Sequence, residues 1–83
     1  MKLKILYFAS LREALGQAAE EIALPTAVST IGGLRDHLAA RGGAWEALAA
    51  NSLRVAVNQQ IADADKPLAE GDEVAFFPPV TGG

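Results

Sequence analysis

The residues best suited to chemistry are the last three, Thr81-Gly82-Gly83. They follow an apolar, proline-stiffened run, Val74-Ala75-Phe76-Phe77-Pro78-Pro79-Val80. Glycine has no β-carbon and lets another molecule approach its backbone closely. A Gly-Gly carboxylate therefore fits a narrow channel that excludes any bulkier terminus, and the expected reactive group is the carboxylate of Gly83. Termini are also where disorder concentrates, so a frayed end is the bland alternative. The stiffened run before the glycines argues for a presented tail instead. A carboxylate is a weak electrophile, with delocalised charge and no leaving group. Adenylation with ATP supplies AMP as the leaving group. A sulfur nucleophile can then displace AMP and leave a thiocarboxylate, a strong nucleophile at neutral pH. None of these steps needs a catalytic side chain on this chain.

The other candidates carry less. His37 is the only histidine and sits mid-helix beside Asp36; acid–base work needs positioned partners that the sequence does not supply. Asp63 and Asp65 alternate like calcium ligands, but the glycine and distal glutamate of an EF-hand are missing. They read as turn residues. Gly32-Gly33 stands at a helix start without a phosphate-binding loop before it or a Lys-Ser/Thr after it, and reads as a tolerated blemish in the helix. Lys2, Lys4, Arg12, Arg35 and Arg54 read as solvated charges, some of which can steer an acidic partner.

Composition narrows the field. At 83 residues the chain is one domain with a small core. Hydrophobic residues make up 51% of it, much of that alanine, so the large apolar side chains must be placed economically. It has no cysteine, which removes disulfides, thiolate catalysis and cysteine metal sites together. Any sulfur it handles must ride elsewhere than on a side chain. The net charge of −3 comes from intermixed acids and bases and argues against nucleic acid, which would require a basic stripe. Met1 to Leu6 is too short and polar for a signal peptide, and no apolar run approaches a membrane span. The expectation is a soluble cytoplasmic protein, with no nucleic-acid or membrane partner.

The elements that must position the tail follow from periodicity. Lys2 to Phe8 reads as a strand, with Leu3, Ile5 and Tyr7 on one face and Lys2, Lys4, Leu6 and Phe8 on the other. Ser10 can cap a short helix to Leu15 that Gly16 stops. Glu20 to Leu24 reads as a second strand ended by Pro25. Ser29 or Thr30 caps a longer helix to about Arg41, with Ile31, Leu34 and Leu38 in phase and Gly42-Gly43 as its stop. Ala44 to Ala50 gives a further turn or two, anchored by Trp45 and Leu48. Leu53 to Val57 is a third strand, Asn58-Gln59-Gln60 a turn, and Ile61-Ala62 a short edge strand. Glu70-Gly71-Asp72 turns into the last strand, Glu73 to Phe77, which Pro78-Pro79 ends.

This order predicts an α+β chain with the β-grasp, ubiquitin-like arrangement: a mixed sheet of about five strands with one main helix on one face. Residues 1–80 form the domain and 81–83 a flexible tail. The last strand pairs with the first mid-sheet, and Leu3, Ile5, Leu34, Leu38, Val55, Val57, Val74 and Phe76 form the core. Phe8, Ile61 and Phe77 then point away from the helix. Contiguous apolar surface marks interaction sites, so these three, with Pro78, Pro79 and Val80, are the expected partner-binding residues.

The block Gly71-Asp72-Glu73-Val74-Ala75-Phe76-Phe77-Pro78-Pro79-Val80-Thr81-Gly82-Gly83 resembles the C-terminus of the molybdopterin synthase small subunits, the MoaD family. Ile5-Leu6-Tyr7-Phe8-Ala9-Ser10-Leu11-Arg12-Glu13 is similar to that family's start, and Ala56-Val57-Asn58-Gln59 to its central strand and turn. The segment from Gln17 to Ala50 matches only in pattern. The resemblance implies a sulfur carrier. An activating enzyme adenylates Gly83 with ATP, and a sulfurtransferase and cysteine desulfurase system makes the thiocarboxylate. The tail, Thr81 and Gly82 included, enters the large subunit of a heterotetramer of two small and two large subunits. It donates sulfur there to cyclic pyranopterin monophosphate, building the dithiolene. The catalytic residues lie on the large subunit, and this chain binds no cofactor or metal itself. Two alternatives stay open: a carrier for another pathway, such as thiamin synthesis, and a ubiquitin-like modifier joined through Gly83 to lysines.

Overall fold

Residues 1–50 and 53–78 are described by a computed structural model. Strand β1, Lys2–Tyr7, alternates as its sequence requires: Leu3, Ile5 and Tyr7 are buried, while Lys2 and Lys4 are exposed. It ends one residue earlier than expected. Phe8 lies just past it, yet its N–H still donates to the Phe76 carbonyl at 3.1 Å. Ala9 then turns the chain with a φ of 54°, so Ser10 becomes the first residue of helix α1, Ser10–Leu15, and caps nothing. The sharp bend at Ala9 takes the capping position away from the serine. Gly16 closes α1 in the left-handed conformation at φ 75°, its N–H donating to the Arg12 carbonyl. Strand β2 runs Ala19–Ala23.

Helix α2, Ile31–Ala39, begins at Thr30, whose Oγ1 accepts from the Gly33 N–H at 3.2 Å. Gly32 is not a blemish. Its N–H donates to the Ala64 carbonyl at 2.7 Å, and a β-carbon there would stand 3.2 Å from that same oxygen. The Ile31 N–H donates to the Lys66 carbonyl. The glycine thus lets the 64–66 loop seat on the helix start, and that loop satisfies donors a helix N-terminus otherwise leaves open. A 3-10 segment, Gly43–Ala49, follows α2. Arg35, expected to be solvated, donates from Nε to the Leu48 carbonyl at 3.0 Å and from Nη2 to the Ala50 carbonyl at 2.7 Å. It ties off the end of that segment.

Strands β3, Arg54–Val57, and β4, Gln60–Ile61, form a hairpin across Asn58 and Gln59, both at positive φ. Two-residue hairpin turns of this hand match the twist of the strands. The expected three-residue turn and Ile61-Ala62 strand thus shift by one position. Strand β5, Glu73–Phe77, completes a five-stranded sheet of order β2-β1-β5-β3-β4. β5 is parallel to β1 and antiparallel to β3, in the middle of the sheet. One buried cluster joins Leu3, Ile5, Tyr7, Val55, Val57, Val74 and Phe76 of the sheet to Ile31, Leu34 and Leu38 of α2. Leu11, Leu24, Leu48 and Leu68 close its edges. This is the β-grasp fold, α+β with one helix on one face of the mixed sheet.

Candidate functional site

The face of the sheet turned away from α2 is laid out in rows by strand register. Leu6 lies opposite Ala19 on one side and Ala75 on the other; Ala75 lies opposite Ala56, and Ala56 opposite Ile61. Every member of this row is apolar. At the end where the chain leaves β5, Phe77 lies opposite Arg54, and Phe8 follows Tyr7, whose partner is Phe76. The row towards the other end is charged, with Lys4 opposite both Glu21 and Glu73. The face is therefore ionic at one end and, Arg54 apart, apolar where the chain leaves β5.

Among the described residues, Phe8 and Ile61 are the large hydrophobic side chains that stand exposed, at 48% and 64%. Phe77 is half-buried, as is Pro78. Leu6, Ala56 and Ala75 join these residues into one surface, and sequence reasoning left them out. The signal was available, because Leu6 and Ala75 stand two residues before Phe8 and Phe77 and so share their face. Pro79, Val80, Thr81, Gly82 and Gly83 lie outside the described residues.

Beneath Phe8 and Phe77 the sheet is braced by a cluster the sequence did not disclose. The Tyr7 hydroxyl donates to Glu20 Oε2 at 2.8 Å, and Arg41 donates to both Glu20 oxygens at 2.9 and 3.0 Å. The Arg41 guanidinium lies 4.3 Å from the centre of the Trp45 ring. Trp45 meets Tyr7 edge-on at 5.5 Å, and Tyr7 stacks on Phe76 at 6.2 Å. Hydrogen bonds from Arg41 hold the Glu20 carboxyl below its usual range, against an opposing effect of burial, and the Tyr7 hydroxyl adds to the lowering. Burial, then the Glu20 hydrogen bond, pushes the Tyr7 phenol far above its ordinary value. That hydroxyl stays protonated and donates to Glu20. At the ionic end Asn58 clamps the start of β5, donating to Asp72 Oδ1 at 3.0 Å and accepting from the Glu73 N–H at 3.0 Å. Asp63 and Asp65 line an open groove with Lys66 and Asp72; among the described residues no group of three or more His, Cys, Asp or Glu side chains is placed to hold a metal ion. His37 is exposed on α2.

The model of the ThiS family matches residues 5–83. The chain is 49% identical over 82 residues to the molybdopterin synthase sulfur carrier subunit of Escherichia coli, covering 98% of this chain and 99% of that one. It belongs to the ThiS family, among the molybdopterin synthase sulfur carrier subunits. The Haemophilus influenzae sulfur carrier subunit is 43% identical over 82 residues, with the same coverage of 98% and 99%. Among solved structures, small archaeal modifier protein 1 of Haloferax volcanii superposes with a TM-score of 0.83 at 28% identity, over 100% of both chains. The sulfur carrier family thus accounts for the whole length of the sheet, the helix and the Gly82-Gly83 end. No helix among the described residues is long and apolar enough to cross a membrane.

Proposed function

We propose that this chain is the sulfur-carrying small subunit of a cytoplasmic molybdopterin synthase, with its sulfur borne on Gly83. The observation that carries the proposal is the full-length match to sulfur carrier subunits, which runs through Gly82-Gly83. An activating enzyme converts the Gly83 carboxylate to an acyl-adenylate at the expense of ATP, with release of pyrophosphate. A persulfide of the sulfurtransferase and cysteine desulfurase system displaces AMP to give an acyl disulfide, and a thiol cleaves that S–S bond, leaving the thiocarboxylate and a disulfide between the thiol and the sulfur donor. The tail, Thr81-Gly82-Gly83, then delivers its sulfur to cyclic pyranopterin monophosphate within the large subunit and returns as a carboxylate. A dithiolene holds two sulfurs, so two charged carriers are consumed per product, as in a heterotetramer of two small and two large subunits.

The division of labour follows from the chain itself. It has no cysteine, and Tyr7, Glu20 and Arg41 are locked in mutual hydrogen bonds. On this reading the reacting carboxylate relies on partners for catalysis, and the chain works without a cofactor of its own. Its contribution is the apolar face of Phe8, Ile61 and Phe77, continued by Pro78, Pro79 and Val80, which seats the large subunit and aims the tail. Incubation with the activating enzyme, ATP and the sulfur source should shift the mass of the C-terminal peptide by the exchange of one oxygen for sulfur. An unshifted peptide under conditions that charge the Escherichia coli carrier would refute the assignment.

The likeness to a small archaeal modifier protein favours one second reading, attachment of Gly83 to lysines of other proteins. Isopeptide conjugates recovered from cells, lost in a Gly83-deleted strain, would establish it.

A further inference from the structure

Among the described residues, three that are not glycine adopt a positive φ: Ala9, Asn58 and Gln59. Asn58 and Gln59 do so as the paired centre of the β3–β4 turn, where that hand is expected. Ala9 differs. Its φ of 54° and ψ of −130° lie outside the left-handed helical region and match the first central residue of a type II′ turn, a place glycine dominates. The turn runs from Phe8 to Leu11 and is closed by the Leu11 N–H donating to the Phe8 carbonyl at 3.1 Å. Alanine brings a β-carbon into this conformation and no polar group to offset the strain. Such a geometry persists only where its surroundings impose it, and here they do. The Phe8 N–H donates to the Phe76 carbonyl at 3.1 Å, and the Glu13 N–H to the Ala9 carbonyl at 3.3 Å. Leu11 is buried in the core, whereas Phe8, at the other end of the same turn, stands exposed.

We infer that Ala9 is a positioning residue of the docking face: its type II′ turn fixes Phe8 in place before the large subunit arrives. This deepens the proposed docking and rests on it. Phe8 lies beyond the last paired residue of β1, where a chain ordinarily frays into its loop. Pinned at its N–H by Phe76 of β5 and at its carbonyl by the N–H of buried Leu11, Phe8 instead moves with the sheet. The pin at Phe76 sets it beside the strand end that carries Phe77. An aromatic anchor ordered beforehand loses less conformational freedom on association, which raises affinity without any new contact. Relaxing Ala9 to a negative φ would redirect the chain after Phe8. Leu11 could then stay in the core only if Phe8 left its place.

The test compares Ala9→Gly and Ala9→Val, each alone and combined with Phe8→Ser, in titrations of the purified chain with the large subunit of its own molybdopterin synthase. Glycine accepts the native turn without strain, so Ala9→Gly, the conservative variant, should melt no lower than the unaltered chain and bind no more weakly. Valine is β-branched and resists a positive φ. Ala9→Val should raise the Kd about tenfold by releasing Phe8, and should add nothing in the Phe8→Ser background. An equal loss in both backgrounds, or no loss in either, would overturn the positioning role. Amide order parameters of the free, unaltered chain test the same point without a variant. Phe8 and Ala9 should be as rigid as β1 on the picosecond to nanosecond scale, and loop-like values would overturn the role even if Ala9→Val does not fold. If Phe8→Ser alone binds normally, it is the docking reading that fails at Phe8.

Discussion

The two faces of the same five strands have been put to opposite uses. On the inner face Leu3, Ile5, Val55, Val74 and Phe76 are all but sealed from water against α2. On the outer face Phe8, just past β1, and Ile61 of β4 stand about half exposed or more, and Phe77, next to Phe76, is half-buried. Side chains alternate across a strand, so adjacent residues of one strand divide between the core and the proposed docking face. The cost of altering a residue should then depend on its parity more than on its size or chemical type.

The largest effect should come from the inner face. Leu38 is fully buried on α2, and Leu38→Ala should destabilise the domain by roughly 2–5 kcal/mol through lost burial and the cavity left behind. That is a large part of the stability of a small domain, and a thermal melt reads it directly. An unchanged melting temperature would break the distinction from the inner side. Next in size is Phe77→Ala, which should weaken binding to the large subunit by about 2 kcal/mol, as truncation of an interfacial aromatic anchor does, while the free domain stays folded. Calorimetric titration measures the first and circular dichroism the second.

The brace beneath the face should show a smaller effect, with a pH signature. Glu20 is held ionised by Arg41 and Tyr7, so its folded pKa lies below its unfolded one. The stability it contributes is therefore complete above the ordinary carboxylate range and disappears as pH falls through the folded value. Glu20→Gln should cost about 1 kcal/mol at neutral pH, since the pair is only partly buried. It should also flatten the loss of stability on acidification. Parallel acid-unfolding curves for both proteins would contradict the assignment. The smallest effect is expected at Phe8→Ser, within about 0.5 kcal/mol in stability, as for an exposed position.

Much of this division was legible in the sequence, because it rests on local periodicity. The alternation in Lys2–Tyr7 and Glu73–Phe77, the stop at Gly16 and the cap at Thr30 are all short-range signals, and each of the eight expected core residues is buried. What escaped was long-range. Glu20 and Arg41 are 21 residues apart, and no spacing rule links a strand acid to a base beyond a helix. Leu11, Leu24 and Leu68 lie in short or irregular segments without a period to reveal their burial. Gly32 reads as a flaw in the helix, and the Ala64 carbonyl packed against it is distant in sequence. Arg35 reads as a surface charge because its acceptors are backbone oxygens, which are the same in every sequence. Of the candidate site, the aromatic members are readable from their size and Leu6 and Ala75 from alternation, whereas Ala56 joins them only through the strand register.

That sulfur rides on Gly83 is tested most directly by reconstituted transfer from chemically prepared thiocarboxylate. The intact chain should convert cyclic pyranopterin monophosphate with the large subunit. A chain shortened by Gly83, or extended by one alanine, should fold normally and give no product. Either change moves the reacting group by about one residue, ~3.3 Å in an extended chain, where ~1 Å of misplacement already costs about a hundredfold. Normal turnover by either altered chain would contradict the assignment of the reactive terminus to Gly83.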